Sequence, residues 1–409
     1  MKSNFRKVLY GIGFAVVIML MLVYINTRLE KQEEKSVIDT VNLVKVYENS
    51  PKEKTMDSVV KYAHAVALMD ANAGRFLYKK NADILLPMAS TTKILTCIVV
   101  IENTDLEDLV TISHNASIQP KVRMGVAEGE KYYVKDLLYA LMLESYNDVA
   151  VALAEHVGGS VEGFASLMNN KATELGCTNT HFVTPNGLDA DGHYTTAAEL
   201  CMLAAYAIQN KTFIEITNTR EYTLSEVSSG RLIQVNNKNR FLTEYNGAIG
   251  VKTGFTGKAG YCFVGAAKRG DMLLVSSVLA CGWPPNKSYK WTDTKALMDY
   301  GFHNFKEKEI FPSKITLPKC QVKQGKKDEL KLGYQEFHMS IASDESEFLT
   351  IYLELSGSLV APIKKGSKVG CLYYFLDKEE IACTNVYALE EIEQLSIIDT
   401  IKIKLIPCK

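Results

Sequence analysis

Ser90 and Lys93 stand three positions apart in Pro87-Met88-Ala89-Ser90-Thr91-Thr92-Lys93, directly ahead of Ile94–Ile101, a run in which only Thr96 is polar. A serine hydroxyl is a weak nucleophile until an adjacent base takes its proton. A lysine amine serves as that base only when burial or a nearby cation lowers its pKa. A run with no polar face belongs inside a domain, and residues three apart share one side of a helix. Pro87 and a serine at the head of the run are helix-start signals. A plainer reading has Ser90 capping the helix and Lys93 reaching solvent along its stem. Two further stretches separate the readings. Ser145-Tyr146-Asn147 is a polar break in an apolar context, and Lys252-Thr253-Gly254 closes a strand pattern. Taken alone, Asn147 or Asp148 reads as a cap for the helix that follows.

Periodicity supplies the elements that must hold these residues. Val134–Leu143 and Val149–Val157 repeat as helices, the second stopped by Gly158-Gly159. Ala65–Met69 and Phe76–Tyr78 read as a hairpin across the turn residues 70–75. Gly247–Gly254, Tyr261–Ala267 and Met272–Leu279 read as a β-meander. Thr184-Pro185-Asn186-Gly187 marks a loop, Thr196 and Glu199 a capping box, and Leu297–Phe302 a closing helix. Beyond Pro312, strand patterns at Phe348–Leu355, Val369–Leu376 and Ile401–Ile406 indicate a small β-rich domain.

Of 409 residues 47% are hydrophobic and 23% charged, an ordinary globular balance for two or three folded units. A net charge of −1 gives no reason to expect nucleic acid. The seven histidines show no metal-binding spacing, so no metal is expected. The nine cysteines form no C-x-x-C pair, and those beside apolar runs read as buried small hydrophobes. Lys2, Arg6 and Lys7 precede Val8–Ile25, 18 residues without a charge. Such a run with a basic flank and no A-x-A-like cleavage site favours an uncleaved single-pass anchor over a removed signal. It would leave the remainder of the chain outside the cytoplasm. Residues 27–55, rich in Glu and Lys, read as a tether.

The three stretches, in this order, form the motif set of penicillin-binding proteins and class A β-lactamases. The chain resembles the low-molecular-mass penicillin-binding proteins that act as serine-type D-alanyl-D-alanine carboxypeptidases. The likeness extends to Val66–Ala71, Pro185-Asn186-Gly187-Leu188, Asn239-Arg240-Phe241-Leu242 and Lys252–Tyr261. It implies an α+β catalytic domain, a helical cluster beside an antiparallel sheet, followed by a small β-rich domain. The expected division is 1–7 cytoplasmic, 8–25 anchor or signal, 26–55 linker, 56–310 catalytic and 311–409 β-rich. The resemblance implies Ser90 as nucleophile, Lys93 as first-choice base poised by Lys252, Ser145 as proton relay and Asn147 as a substrate hydrogen-bonder. It implies that Thr253 meets the peptide carboxylate and Gly254 lets the peptide lie against the strand. The backbone N–H groups of Ser90 and Phe255 would form the oxyanion hole. The implied partners are peptidoglycan stem peptides ending in D-Ala-D-Ala and, as covalent inhibitors, β-lactam antibiotics; no cofactor is implied.

Two residues depart from the pattern. Tyr146 occupies the usually small middle position of the second motif, and either narrows the cleft or turns away. Lys290 falls where the family carries an arginine for the substrate carboxylate, keeping the charge without the bidentate fork; the alternative for Lys290 is a solvated surface lysine. Two rival functions remain. A class A-like β-lactamase needs a carboxylate for deacylation, and the region around Pro185–Asp189 offers no clear glutamate. A non-catalytic penicillin-sensing or wall-binding protein would have little use for an intact serine, two lysines and an asparagine.

Overall fold

All six residues of the strand Ala65–Asp70 are buried, which requires a place inside a sheet with cover on both faces. The computed structural model describes residues 43–48, 59–309, 312, 314–336, 340–344 and 346–396. In chain order, the elements needed below begin with β1 (Leu43–Glu48), β2 (Ala65–Asp70), β3 (Arg75–Lys80) and α1 (Lys93–Asn103). Next come α2 (Val134–Leu143), α3 (Asn147–Gly158), α4 (Ala197–Ala207), β4 (Ala248–Thr256), β5 (Gly260–Arg269) and β6 (Met272–Leu279). Then follow α5 (Tyr289–Asn304), β7 (Lys306–Glu309), β8 (Leu332–Tyr334), β9 (Ser340–Ser343), β10 (Leu349–Leu355), β11 (Lys368–Leu376) and β12 (Glu379–Ala388).

The described residues divide into two units, 59–309 with 340–344, and 43–48 with 314–336 and 346–396. In the larger unit an antiparallel sheet runs β3-β2-β6-β5-β4. The hairpin and the meander expected from the sequence are its strands. Because side chains alternate across a strand, β2 serves two cores at once. Ala65, Ala67 and Met69 join the core that contains α1, α2, α3 and α4. Val66 and Leu68 join the opposite core with Trp291, Leu297 and Met298 of α5. This double duty explains why the β2 sequence is a continuous apolar run. Strand β4 is the sheet's edge, paired only with β5 among the described strands. Lys93–Val100 of α1 are buried without a break, as a run with no polar face demands.

The smaller unit is an antiparallel sheet in the order β1-β10-β11-β12-β8. The linker expected over 26–55 fails at β1, which pairs with β10 along Leu43–Glu48. Composition hid this strand: Leu43, Val44, Val46 and Tyr47 lie among lysines and glutamates, and an edge strand needs little more than an open row of partners. The division expected at 310/311 is also crossed. Strand β9 returns to the larger unit and pairs with β7. There Ala342 N–H donates to the buried Asp70 carboxylate at 2.9 Å, and Arg75 Nη1 donates to Ala342 O at 2.8 Å. The strand expected at Ile401–Ile406 and the run Val8–Ile25 lie outside the described residues. Among the described residues no helix is long and apolar enough to cross a membrane. Cys97, Cys177, Cys201, Cys262 and Cys281 are buried free thiols. Burial pushes the Cys201 thiol up to about 12, so it packs as a neutral hydrophobe.

Candidate active site

Ser90 lies not on the α-helix but in a short 3-10 turn, Ala89–Thr92, that hands over to α1 at Lys93. A 3-10 turn places residues three apart directly above one another. The Lys93 side-chain nitrogen is accordingly 3.1 Å from Ser90 Oγ. Neither residue does what the plainer reading expected. Ser90 makes no side-chain cap, and Lys93 is fully buried.

Lys93 Nζ has two further neighbours, Asn147 Oδ1 at 3.0 Å and the Asn186 carbonyl oxygen at 2.5 Å. As a neutral amine it has two N–H groups for these two carbonyl oxygens and one lone pair for the Ser90 hydroxyl proton; as an ammonium it would donate to all three oxygens, so the contacts fit either state. Burial pushes the Lys93 pKa well below its ordinary value; the charge of Lys252 pushes the same way and Asp148 opposes. Burial likewise brings Lys252 down to about 7, against the pull of Glu144. Two lysines in one dehydrated site cannot both carry charge at low cost.

Asn147 opens α3 without capping it: its amide donates to Pro120 O at 3.2 Å while its oxygen meets Lys93. Ser145 precedes it at φ 69°, and its Oγ is buried with no hydrogen-bond partner among the described residues. The Ser145 hydroxyl is therefore free to bond to another group that enters the site. Tyr146 is half-buried and packs against the helical core, so it turns inward. Lys252 is buried and donates to Thr253 O at 3.3 Å. Thr253 is half-buried and Phe255 is exposed. At Gly254 a Cβ would lie 3.0 Å from Ser90 N and 3.1 Å from Met88 O. Only a residue without a side chain lets β4 come this near the nucleophile turn.

Lys290 lies on α5. Its ammonium donates to Lys287 O at 3.0 Å and sits 4.5 Å from the centre of the Tyr261 ring. Tyr261 is the cross-strand partner of Phe255, so this ammonium lies beside the strand pair that carries Thr253 and Gly254. The solvated alternative fails as well: Lys290 is 7% exposed, and burial lowers its pKa to about 8.

Sequence reading took the 184–187 stretch as a loop, and Pro185–Leu188 as part of the family likeness, but gave it no role in the site. Besides lending the Asn186 carbonyl, it braces the nucleophile turn. Thr96 Oγ1 donates to Pro185 O at 2.7 Å. Gly187 has φ +81°, and a Cβ there would lie 2.0 Å from Ala89 O. His193, also missed, closes the brace. Val183 N–H donates to its Nδ1 at 3.0 Å, leaving the proton on Nε2 for Thr92 Oγ1 at 2.9 Å. Thr92 in turn donates to Ala89 O at 2.8 Å. Burial pushes the His193 pKa down to about 4, so the ring is a neutral strut.

The arrangement brings together a hydroxyl with a buried amine 3.1 Å away, a second hydroxyl with no partner among the described residues, and an open strand edge. Residues 52–282 match the family described as D-alanyl-D-alanine carboxypeptidase, and residues 305–394 match the penicillin-binding protein 5 C-terminal domain. The chain is 32% identical to the D-alanyl-D-alanine carboxypeptidase DacF of Bacillus subtilis, covering 83% of this chain and 88% of that protein. It is 33% identical to DacC of Escherichia coli, covering 84% and 87%. Among solved structures it is similar to penicillin-binding protein 5 of Haemophilus influenzae, with TM-score 0.66, 28% identity and coverage of 84% of this chain and 100% of that one. The Streptomyces K15 DD-transpeptidase aligns with TM-score 0.57 and 34% identity over 61% of this chain and 99% of its own.

Proposed function

The chain belongs to the D-alanyl-D-alanine carboxypeptidase family, and on that premise we propose that it removes the terminal D-alanine of peptidoglycan stem peptides by a serine mechanism. The Lys93 nitrogen 3.1 Å from Ser90 Oγ, with two carbonyl oxygens to take its protons, carries the reading. Neutral Lys93 takes the hydroxyl proton as Ser90 Oγ bonds to the carbonyl carbon of the penultimate D-alanine. The oxyanion is held by the N–H groups of Ser90 and Phe255, which the absence of a side chain at Gly254 brings close. Collapse breaks the C–N bond. The Lys93 proton passes through the unpartnered Ser145 hydroxyl to the leaving amine. A water then attacks the ester, gives its proton back through the same groups, and frees Ser90 and the shortened peptide. Thr253 and the cation of Lys252 receive the terminal carboxylate, with Lys290, beside Tyr261 on the neighbouring strand, as a further cation for it. The peptide adds as a strand along the free edge of β4.

A β-lactam opens at the same serine, but its leaving amine stays tethered, so the ester persists. The test is a time course of the purified protein with labelled penicillin beside a D-alanine release assay. A long-lived adduct on Ser90 and release of D-alanine are expected. Rapid loss of the adduct with product acid building up would make the protein a β-lactamase, and no adduct at all would make it non-catalytic.

We also propose that Val8–Ile25 anchors the protein by a single span, with the catalytic unit on the extracytoplasmic side. The uncharged run and its basic flank support this. Washed membranes should release the intact protein only with detergent; recovery of a soluble form starting shortly after Ile25 would show cleavage instead.

A further inference from the structure

At the end of the sheet where the β4–β5 hairpin turns, there is a cavity of about 500 Å³. Leu86 and Pro87, which lead into the Ser90 turn, line one side, and Lys258 and Ala259 of the hairpin line another. Its charged lining is all of one sign. Lys61, Lys80 and Lys258 face it with His64, and no Asp or Glu is among the described residues that line it. The chain as a whole has 46 Lys and Arg against 47 Asp and Glu, so this wall is no sample of the average surface. Asp293, a carboxylate packed behind the wall, is occupied by the backbone N–H groups of Lys61, Tyr62 and Ala63.

The walls are fixed rather than loose. The Tyr62 ring stacks on Tyr289 with centroids 3.7 Å apart. Trp283 Nε1 donates to Gly257 O at 2.9 Å, and its ring lies so close to Gly260 that a Cβ there would approach it to 2.9 Å. Both rings still leave much of their surface open, Tyr62 41% and Trp283 45%. Aromatic faces beside ammonium groups suit a ligand with an apolar stem and an anionic end.

We propose that this cavity is a subsite for the acyl arm of the substrate, taking an upstream residue that carries a free carboxylate. The proposal rests on the peptide orientation given above. With the terminal carboxylate at Thr253 and the scissile carbonyl at Phe255 N–H, the rest of the peptide runs along β4 toward Lys258. At the rise of an extended chain, the side chain that reaches Lys258 belongs to a residue about three positions ahead of the scissile bond. Lys61 and Lys258 are exposed and the Lys80 ammonium also donates to Ala63 O at 3.2 Å, so the pull on a carboxylate is the sum of several screened ammonium groups, more than one surface lysine gives.

The test uses two soluble peptides ending in D-Ala-D-Ala that differ only in glutamate or glutamine at that position. The full protein is expected to prefer the acidic peptide in kcat/KM by about fivefold, with the preference shrinking as salt rises. In the double variant Lys61→Gln/Lys258→Gln the ratio is expected to fall toward one, with thermal melting showing the fold intact. Equal use of both peptides by the unaltered protein overturns the subsite alone, as does a preference that survives in the double variant. Failure to hydrolyse either peptide overturns the carboxypeptidase reading and the subsite with it.

Discussion

Ser90→Ala is expected to abolish covalent labelling by penicillin and to lower D-alanine release by about 10⁴-fold or more. Ser90 holds the oxygen that faces Lys93, and the alternative hydroxyl, Ser145, has no hydrogen bond to either lysine. The substitution removes one oxygen at a half-buried position, so the melting temperature should hardly move. Mass spectrometry showing residual adduct on the substituted protein would move the nucleophile elsewhere. With Ser90 intact, the pH dependence of acylation tests its partner. A protonated Lys93 cannot accept the hydroxyl proton, so the rate climbs with pH through the depressed pKa of that group. The Lys252 charge helps depress it. Lys252→Met removes that repulsion, the Lys93 pKa rises, and the acid limb moves to higher pH. The limb belongs to the coupled pair, so its position and not the height of the profile is the readout. An unmoved limb would mean that Lys93 is not the base.

Gly187→Ala is expected to cost about 3 kcal/mol or more, from a strained positive φ and from a clash with backbone. A Cβ at Gly187 would sit 2.0 Å from Ala89 O, an atom that cannot swing away as a flexible side chain does. For a domain of this size the melting temperature should fall by roughly 10 °C. Acylation should slow as well, because the displaced residue is next to Ser90. Gly192→Ala supplies the comparison: it has φ +80° in the same loop, but its nearest neighbour, His181 Nδ1, would be 3.7 Å from the new atom. That variant should lose only the backbone contribution, about 1 kcal/mol. If both variants melt alike, the close approach of the loop to the nucleophile turn constrains nothing.

Short-range patterns were enough to place much of this protein. The spacing of Ser90 and Lys93 ahead of an apolar run pointed to a serine and a lysine side by side, because a helical turn converts that spacing into contact whatever surrounds it. Alternation and turn residues marked the hairpin β2–β3 and the meander β4–β6, since strand period and turn chemistry are local properties.

Contacts between distant residues were decided only by the tertiary structure. Nothing near Lys93 in sequence announces the Asn186 carbonyl, yet that oxygen and Asn147 Oδ1 hold the amine in place beside Ser90. Lys290 could be placed by counting but not aimed, because its direction depends on the packing of Tyr261 and Trp291 around it. Strand β1 was hidden by lysines and glutamates, and β9 by the apparent end of the catalytic unit. Each strand finds its place through backbone partners far along the chain, Thr350–Glu354 for β1 and Lys306–Glu309 for β9. Which row of N–H and C=O groups stands open to receive a strand is a property of the assembled sheet, and no local pattern of side chains encodes it.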